Sequence, residues 1–169
     1  MKRKRLGLIH TSATLVPVFA TLCKEKLPYV EVFNIVDDSL VKGIREAGSL
    51  TPQISKRVLD YLKSAESGGA DQIMVTCSSI GPAVEAGAKE VKVPVLRVDQ
   101  PMADKAVAAG KKIGVIATLS TTLEPTADLV LRRAAIAGKQ IELTSKLVDG
   151  AFEALMAGEP GRHLGVLVG

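Results

Sequence analysis

The sequence predicts an α/β protein made of two pseudo-symmetric halves, each built around a parallel sheet, with the second reading as incomplete. Three observations point there. Short aliphatic or β-branched runs alternate with helix-length segments along most of the 169 residues. That is the pattern of a parallel sheet with helices on both faces. Several strand-like runs end in small polar residues that open the next helix. Finally, Lys4–Thr11 (KRLGLIHT) recurs weakly as Lys111–Thr118 (KKIGVIAT), an offset of 107 that also sets Thr14 on Thr121. A second match sets Val36-Asp37 on Val148-Asp149, at an offset of 112.

The elements follow in order. Leu6–Thr11 is the first strand, and the helical pattern of Ala13–Lys26 stops at Pro28. Val30–Val36 (VEVFNIV), β-branched and aromatic, is the second strand. Asp37-Asp38-Ser39 then cap a short helix over Leu40–Ala47. Thr51-Pro52 opens a longer helix, with Thr as cap and Pro in the first turn. Ile54, Val58, Leu59 and Leu62 give that helix one apolar face, and Gly68-Gly69 ends it. Asp71–Thr76 (DQIMVT) is the third strand, Cys77–Gly81 a loop, and Pro82 the start of another helix. Val93–Val98 is the fourth strand. From Lys111 the scheme restarts with strand Ile113–Ala117, helix Thr122–Ala137, strand Ile141–Leu147 and helix Ala151–Ala157. The two halves are expected as domains over 1–97 and 98–169, with a cleft between them.

Composition removes several classes of function. The chain is 47% hydrophobic and 24% charged, a globular balance. Its apolar stretches fall short of the roughly 20 residues needed to span a bilayer. After Met1-Lys2-Arg3-Lys4-Arg5 only Leu6–Ile9 is apolar, too short for a signal sequence, so a cytoplasmic protein is expected. Two cysteines, Cys23 and Cys77, form no disulfide framework and suit a reducing compartment. The net charge of +4 comes from the first five residues, since Lys2 to Arg5 supply four of 22 basic residues against 18 acids. With no Trp and few other aromatics, that tail reads as a solvated lead-in rather than a nucleic-acid contact.

The candidate chemistry lies where a parallel sheet puts it, at the carboxyl ends of the strands. Three runs stand there: His10-Thr11-Ser12, Cys77-Ser78-Ser79 and Thr118-Leu119-Ser120-Thr121-Thr122. Hydroxyl donors beside free helix N–H groups make a seat for a carboxylate. Singly, such residues also serve as ordinary helix caps, and both readings stand at this point. No glycine-rich nucleotide motif is present, and His10 and His163, the only histidines, form no metal-ligand pair with each other or with a cysteine. No cofactor or metal is therefore expected. Cys23 lies among Val16, Phe19 and Leu22 in the first helical segment and reads as a packed structural thiol. Cys77 follows a strand and precedes a helix, a setting that favours thiolate over thiol and equips it as base or nucleophile. A packed strand-end thiol is the plainer alternative.

These residues carry a family resemblance. Val75-Thr76-Cys77-Ser78-Ser79, the strand end His10-Thr11-Ser12-Ala13-Thr14, and Gly114–Thr118 leading into Ser120-Thr121-Thr122 resemble the aspartate/glutamate racemase family. Hydantoin racemases, arylmalonate decarboxylase and maleate isomerases belong to it too. The resemblance runs to about Glu159. It implies two Rossmann-like domains with the site at their interface, and racemisation of a small carboxylate without cofactor. One cysteine removes the α-proton, and a second delivers a proton to the opposite face. By that analogy Cys77 is the first-domain base. Thr11 and Ser12 join Ser78, Ser79, Thr118, Ser120, Thr121 and Thr122 as the residues expected to bind substrate. Family grounds alone admit a homodimer.

The sequence departs from the family in one respect. The repeat offsets would put the second cysteine at 184 or 189, and no cysteine follows Cys77 in the chain, which reads as cut short after the apolar Leu164–Gly169. The expected function is racemase or isomerase of a small carboxylate such as an acidic amino acid. The alternatives are a one-thiol cis-trans isomerase of a maleate-like dicarboxylate, or a carboxylate-binding protein without catalysis.

Overall fold

A computed structural model describes residues 3–157; His163 and the apolar ending Leu164–Gly169 lie outside the described residues. The chain divides into two compact units, one up to Asp99 and one from Gln100 onward.

The first unit is built on four parallel strands, β1 (Arg5–His10), β2 (Glu31–Val36), β3 (Gln72–Val75) and β4 (Val95–Arg97), in the order β2-β1-β3-β4. Between them run α1 (Leu15–Lys26), α2 (Ser39–Ala47), α3 (Pro52–Ser67) and α4 (Gly81–Gly87). Strand alternation decides which side chains meet which helices. Leu6 and Leu8 turn to one face, where they pack with Cys23 and Phe19 of α1 and with Met74. Ile9, Ile73 and Val75 turn to the other, against Leu40, Ile44, Ile54, Val58, Leu62 and Val84 of α2, α3 and α4. This second cluster is the main core. Its helices approach closely, since a β-carbon on Gly87 would stand 2.7 Å from Leu62 Cδ1.

The expected helix opening at Thr51 is present: its hydroxyl accepts from the Ile54 N–H at 3.2 Å, with Pro52 in the first turn. Before α2 the arrangement differs from a simple cap. Asp38 makes no capping side-chain bond; instead Asp37 Oδ1 accepts from the Ser39 N–H at 3.1 Å and from its hydroxyl at 2.6 Å. The same carboxylate also accepts from Tyr61 Oη at 2.6 Å and from the Arg57 guanidinium, so it ties the end of β2 to α3.

In the second unit β5 (Lys112–Ala117) and β6 (Glu142–Leu147) form a parallel pair. The helices are α5 (Gln100–Ala109), α6 (Ser120–Ile136) and α7 (Ala151–Met156). Ala103 and Val107 of α5 pack with Val115, Leu129, Val130 and Ala134. Helix α5 occupies a stretch for which the sequence pattern predicts no element. The two strand–helix–strand units do correspond, since β5 is β1 displaced by 107 residues. The second offset needs correcting by one, from 112 to 111. His10 pairs with Val36 and Ala117 with Leu147, so Val36 corresponds to Leu147 rather than Val148. The four extra residues (111 − 107) lie between β5 and β6, where α6 is also longer than α1, at 17 residues against 12. Among the described residues no helix is long and apolar enough to cross a membrane.

Two outcomes follow from this packing. Burial alone would push the Asp37 carboxyl up, but the hydrogen bonds from Ser39 and Tyr61 and the Arg57 charge outweigh it and hold it below the usual carboxylate range. A depressed carboxyl stabilises the fold above its unfolded value of 3.8, and that contribution is lost as pH falls through the folded value. Asp37→Asn is therefore expected to cost about 1.5–3 kcal/mol at neutral pH and much less in strong acid, measured by urea unfolding across pH. Leu62→Ala, at a fully buried position, is expected to cost about 2–5 kcal/mol at every pH in the same assay.

Candidate functional site

The register of the first sheet gathers the candidate residues of that unit. Ile9 pairs with Val75, and the Thr76 N–H donates to the Ile9 carbonyl at 3.0 Å. Thr11 and Cys77 therefore leave the sheet side by side, at the carboxyl end of neighbouring strands. Asp37 continues β2 and Val98 continues β4 by the same kind of bond, to His10 and Val75 respectively, both at 3.0 Å. Thr11 is buried, Ser12 is half-buried, and the Ser12 and Thr14 hydroxyls bond to each other at 2.7 Å.

Cys77 is half-buried and packs against the main core, on the α2–α3–α4 side of the sheet. Its backbone is extended, and the chain then turns at once into a 3₁₀ turn, Ser78–Ile80, that runs into α4. The segment after the thiol is thus a continuous helical start and not the open loop expected. Ser78 is half-buried and Ser79 buried. Cys23 is buried, and desolvation raises its thiol pKa, which favours the thiol over the thiolate.

One residue before Cys77 the chain points to the opposite face. There Thr76 Oγ1 lies 2.8 Å from His10 Nδ1, and His10 Nε2 lies 3.0 Å from Asn34 Oδ1. Thr76 Oγ1 is also 3.2 Å from the Ile9 carbonyl. His10 has no solvent exposure and leans on the Phe19 ring at 5.4 Å between centroids. Asn34 Oδ1 can only accept, so His10 Nε2–H donates to it, while Nδ1 faces the Thr76 hydroxyl. His10 thus ties β1 to β2 and to the end of β3. The sequence showed His10 at a strand end but not this bridge, because Asn34 and Thr76 lie far from it in the chain.

A second group was also invisible in the sequence. Arg97, at the end of β4 and 3% exposed, grips Asp99 with Nε at 3.0 Å and Nη2 at 2.6 Å, while Nη1 donates to Glu85 of α4 at 2.7 Å.

The remaining candidates belong to the second unit. Thr118 is half-buried after β5, and Ser120, Thr121 and Thr122 form the first turn of α6, two residues earlier than the sequence pattern placed it. Ser120 is exposed, and Thr121 and Thr122 are half-buried. The Thr121 hydroxyl is buried without a partner. Pro125 has no N–H to give the Thr121 carbonyl four residues back, so that one rung of the α6 ladder is missing. Among the described residues no group of three or more His, Cys, Asp or Glu side chains could hold a metal ion.

Comparison with known proteins places this arrangement. The sequence model of the Asp/Glu/Hydantoin racemase family matches residues 6–167. A glutamate racemase of Gloeothece citriformis (strain PCC 7424) is 31% identical over 122 residues, covering 71% of this chain and 42% of that protein. Among solved structures, glutamate racemase from Aquifex pyrophilus superposes with a TM-score of 0.64 at 23% identity, over 83% of this chain and 54% of that one. Allantoin racemase from Klebsiella pneumoniae gives 0.62 at 12% identity, over 97% and 69%. The chain thus spans roughly half the length of the glutamate racemases it matches. With the family model spanning nearly the whole sequence and the racemase fold around it, the chain belongs to the Asp/Glu/Hydantoin racemase family.

Proposed function

We propose that this chain racemises or isomerises a small carboxylate such as glutamate or aspartate, without cofactor, and that Cys77 is its thiol base. One observation carries the reading. Cys77 is the half-buried thiol at a strand end, flanked by Thr11, Ser78 and Ser79, while Cys23 is packed away in α1. The identity with a glutamate racemase supports an acidic amino acid as substrate.

The step assigned to Cys77 is removal of the α-proton. The thiolate Sγ takes the hydrogen, and the C–H electron pair moves toward the carboxylate. Charge building on the carboxylate oxygens needs donors already in place, because the α-carbon is a very weak acid. The Ser78 and Ser79 hydroxyls supply such donors in the first unit, with Thr11 and Ser12 beside them. Thr118, Ser120, Thr121 and Thr122 are proposed as carboxylate contacts of the second unit in its own right, and the unpartnered Thr121 hydroxyl supports that reading. Inversion also requires a proton from the opposite face. A second reading needs one thiol alone: Cys77 adds to the double bond of a maleate-like diacid, the new single bond rotates, and the thiolate leaves as the double bond re-forms. Two free cysteines suit a cytoplasmic setting.

The test is proton exchange in heavy water, followed by NMR, with both enantiomers of glutamate and aspartate, a hydantoin and maleate. Loss of the α-proton signal with inversion, abolished in Cys77→Ala, is the expected result. Exchange without inversion would assign a one-base half-reaction. Conversion of maleate alone would install the addition mechanism. No exchange and no conversion would leave a carboxylate-binding protein.

A further inference from the structure

Gly81 is the first residue of α4, and its φ of −51° and ψ of −47° are ordinary helical values that any residue adopts. Backbone freedom therefore does not explain a glycine there. Space does. A β-carbon on Gly81 would overlap the Arg97 guanidinium, standing 2.6 Å from Nη1 and closer still to Cζ. The guanidinium thus lies flat in the volume that a side chain would need, four residues after Cys77.

The cation is held there from two sides. Asp99, 7% exposed, takes the two-pronged contact through Nε and Nη2, and Glu85, one turn further along α4, takes Nη1. Burial opposes the charge, but these two carboxylates outweigh it and keep Arg97 firmly protonated. A planar fork with several donors suits this geometry, and an ammonium does not. Through Val75, which pairs with Arg97 in the sheet, the same residue is locked to β3. The turn carrying Cys77, Ser78 and Ser79 is therefore fixed at both ends, by β3 before it and by the Arg97 plate under its exit.

We propose that Arg97 is a positioning residue for Cys77, acting through its stacking in the empty side-chain space of Gly81. Asp99 and Glu85 set its plane. The claim rests on Cys77 being the reacting thiol only for its effect on turnover; the geometry of the turn is independent of substrate.

The experiment therefore reads the thiol directly. Iodoacetamide labelling of Cys77 is timed by peptide mapping, with Cys23 as internal reference, in Gly81→Ala, Arg97→Lys, Arg97→Ser and the Gly81→Ala/Arg97→Ser double variant. Gly81→Ala is expected to change the Cys77 rate at least fivefold with Cys23 unmoved. Arg97→Lys, which keeps the charge and loses the fork, is expected to shift it in the same direction. The double variant should behave as Arg97→Ser alone, because the added methyl no longer meets a guanidinium. If Gly81→Ala fails to fold, Arg97→Lys still decides the matter. An unchanged Cys77 rate in folded variants, or simple additivity in the double, overturns the proposal and leaves the cluster a purely structural one. If racemisation or isomerisation is detected, kcat is expected to fall at least tenfold in Arg97→Lys with KM within threefold. Absence of any turnover would count against the racemase reading and not against the labelling result.

Discussion

The register of β1 between its two parallel neighbours is the constraint on which the candidate site depends. β1 is bonded along both edges, to β2 through Arg5–His10 and to β3 through Leu6–Ile9. Because all the strands run the same way, every carboxyl end in the unit emerges at one edge. Thr11, Asp37, Cys77 and Val98 each stand one or two residues beyond a ladder that ends together. A slip of one residue in β3 would carry Cys77 to the α1 face and Thr76 to the core face, since side chains alternate strictly. The thiol and the buried histidine bridge would then exchange surroundings. His10, bonded at both ring nitrogens to Thr76 and Asn34, is itself a lock on that register, because it is satisfied only when β1, β2 and β3 are aligned as they are.

The polar clusters around this edge divide the work of holding it. Asp37 fastens the end of β2 to α2 and α3; Arg97 fastens the end of β4 to α4 and to Asp99. Both are buried or half-buried ion pairs with their hydrogen bonds satisfied, which is the condition under which such pairs persist in an interior. Neither contributes an obvious stabilisation over a well-packed apolar alternative. What each does is specify a single arrangement, since Leu or Met in place of Arg97 would fill the same volume without fixing the plane over Gly81.

Much of this was legible in the chain. The strands announced themselves by β-branched runs between glycine, proline and aspartate, and the register followed closely enough that Cys77 fell at a strand end. Thr51-Pro52 predicted its helix because the signal is local: one hydroxyl, one fixed φ. The helix Gln100–Ala109 escaped because its buried residues are only Ala103 and Val107, too small and too few to show an apolar stripe. Its Pro101 stands in the first turn, as Pro52 does in α3, but without a threonine cap before it. The second repeat offset was misjudged by one because Val36-Asp37 and Val148-Asp149 look alike in letters, whereas the ladders align Val36 with Leu147. The bridges of His10 and Arg97 could not be read at all. Their partners are set by sheet order and by a missing β-carbon, and neither leaves a mark in local sequence.

The repeat itself sets the two strand ends at Thr11 and Thr118 apart. At the offset of 107, Thr11 answers to Thr118, but His10 answers to Ala117. In the first unit the strand end therefore closes on a three-strand bridge through Thr76, one residue from the thiol. In the second, Ala117 offers no side chain to such a bridge, and β5 is paired with β6 alone among the described strands. What the second unit keeps is the hydroxyl run at the start of α6, including a Thr121 oxygen with no protein partner. The strand-to-helix edge thus recurs at Thr11 and Thr118 with different neighbours. Cys77 stands at the first of these edges, two residues beyond β3, where the sheet register and the Arg97 contact both bear on its turn.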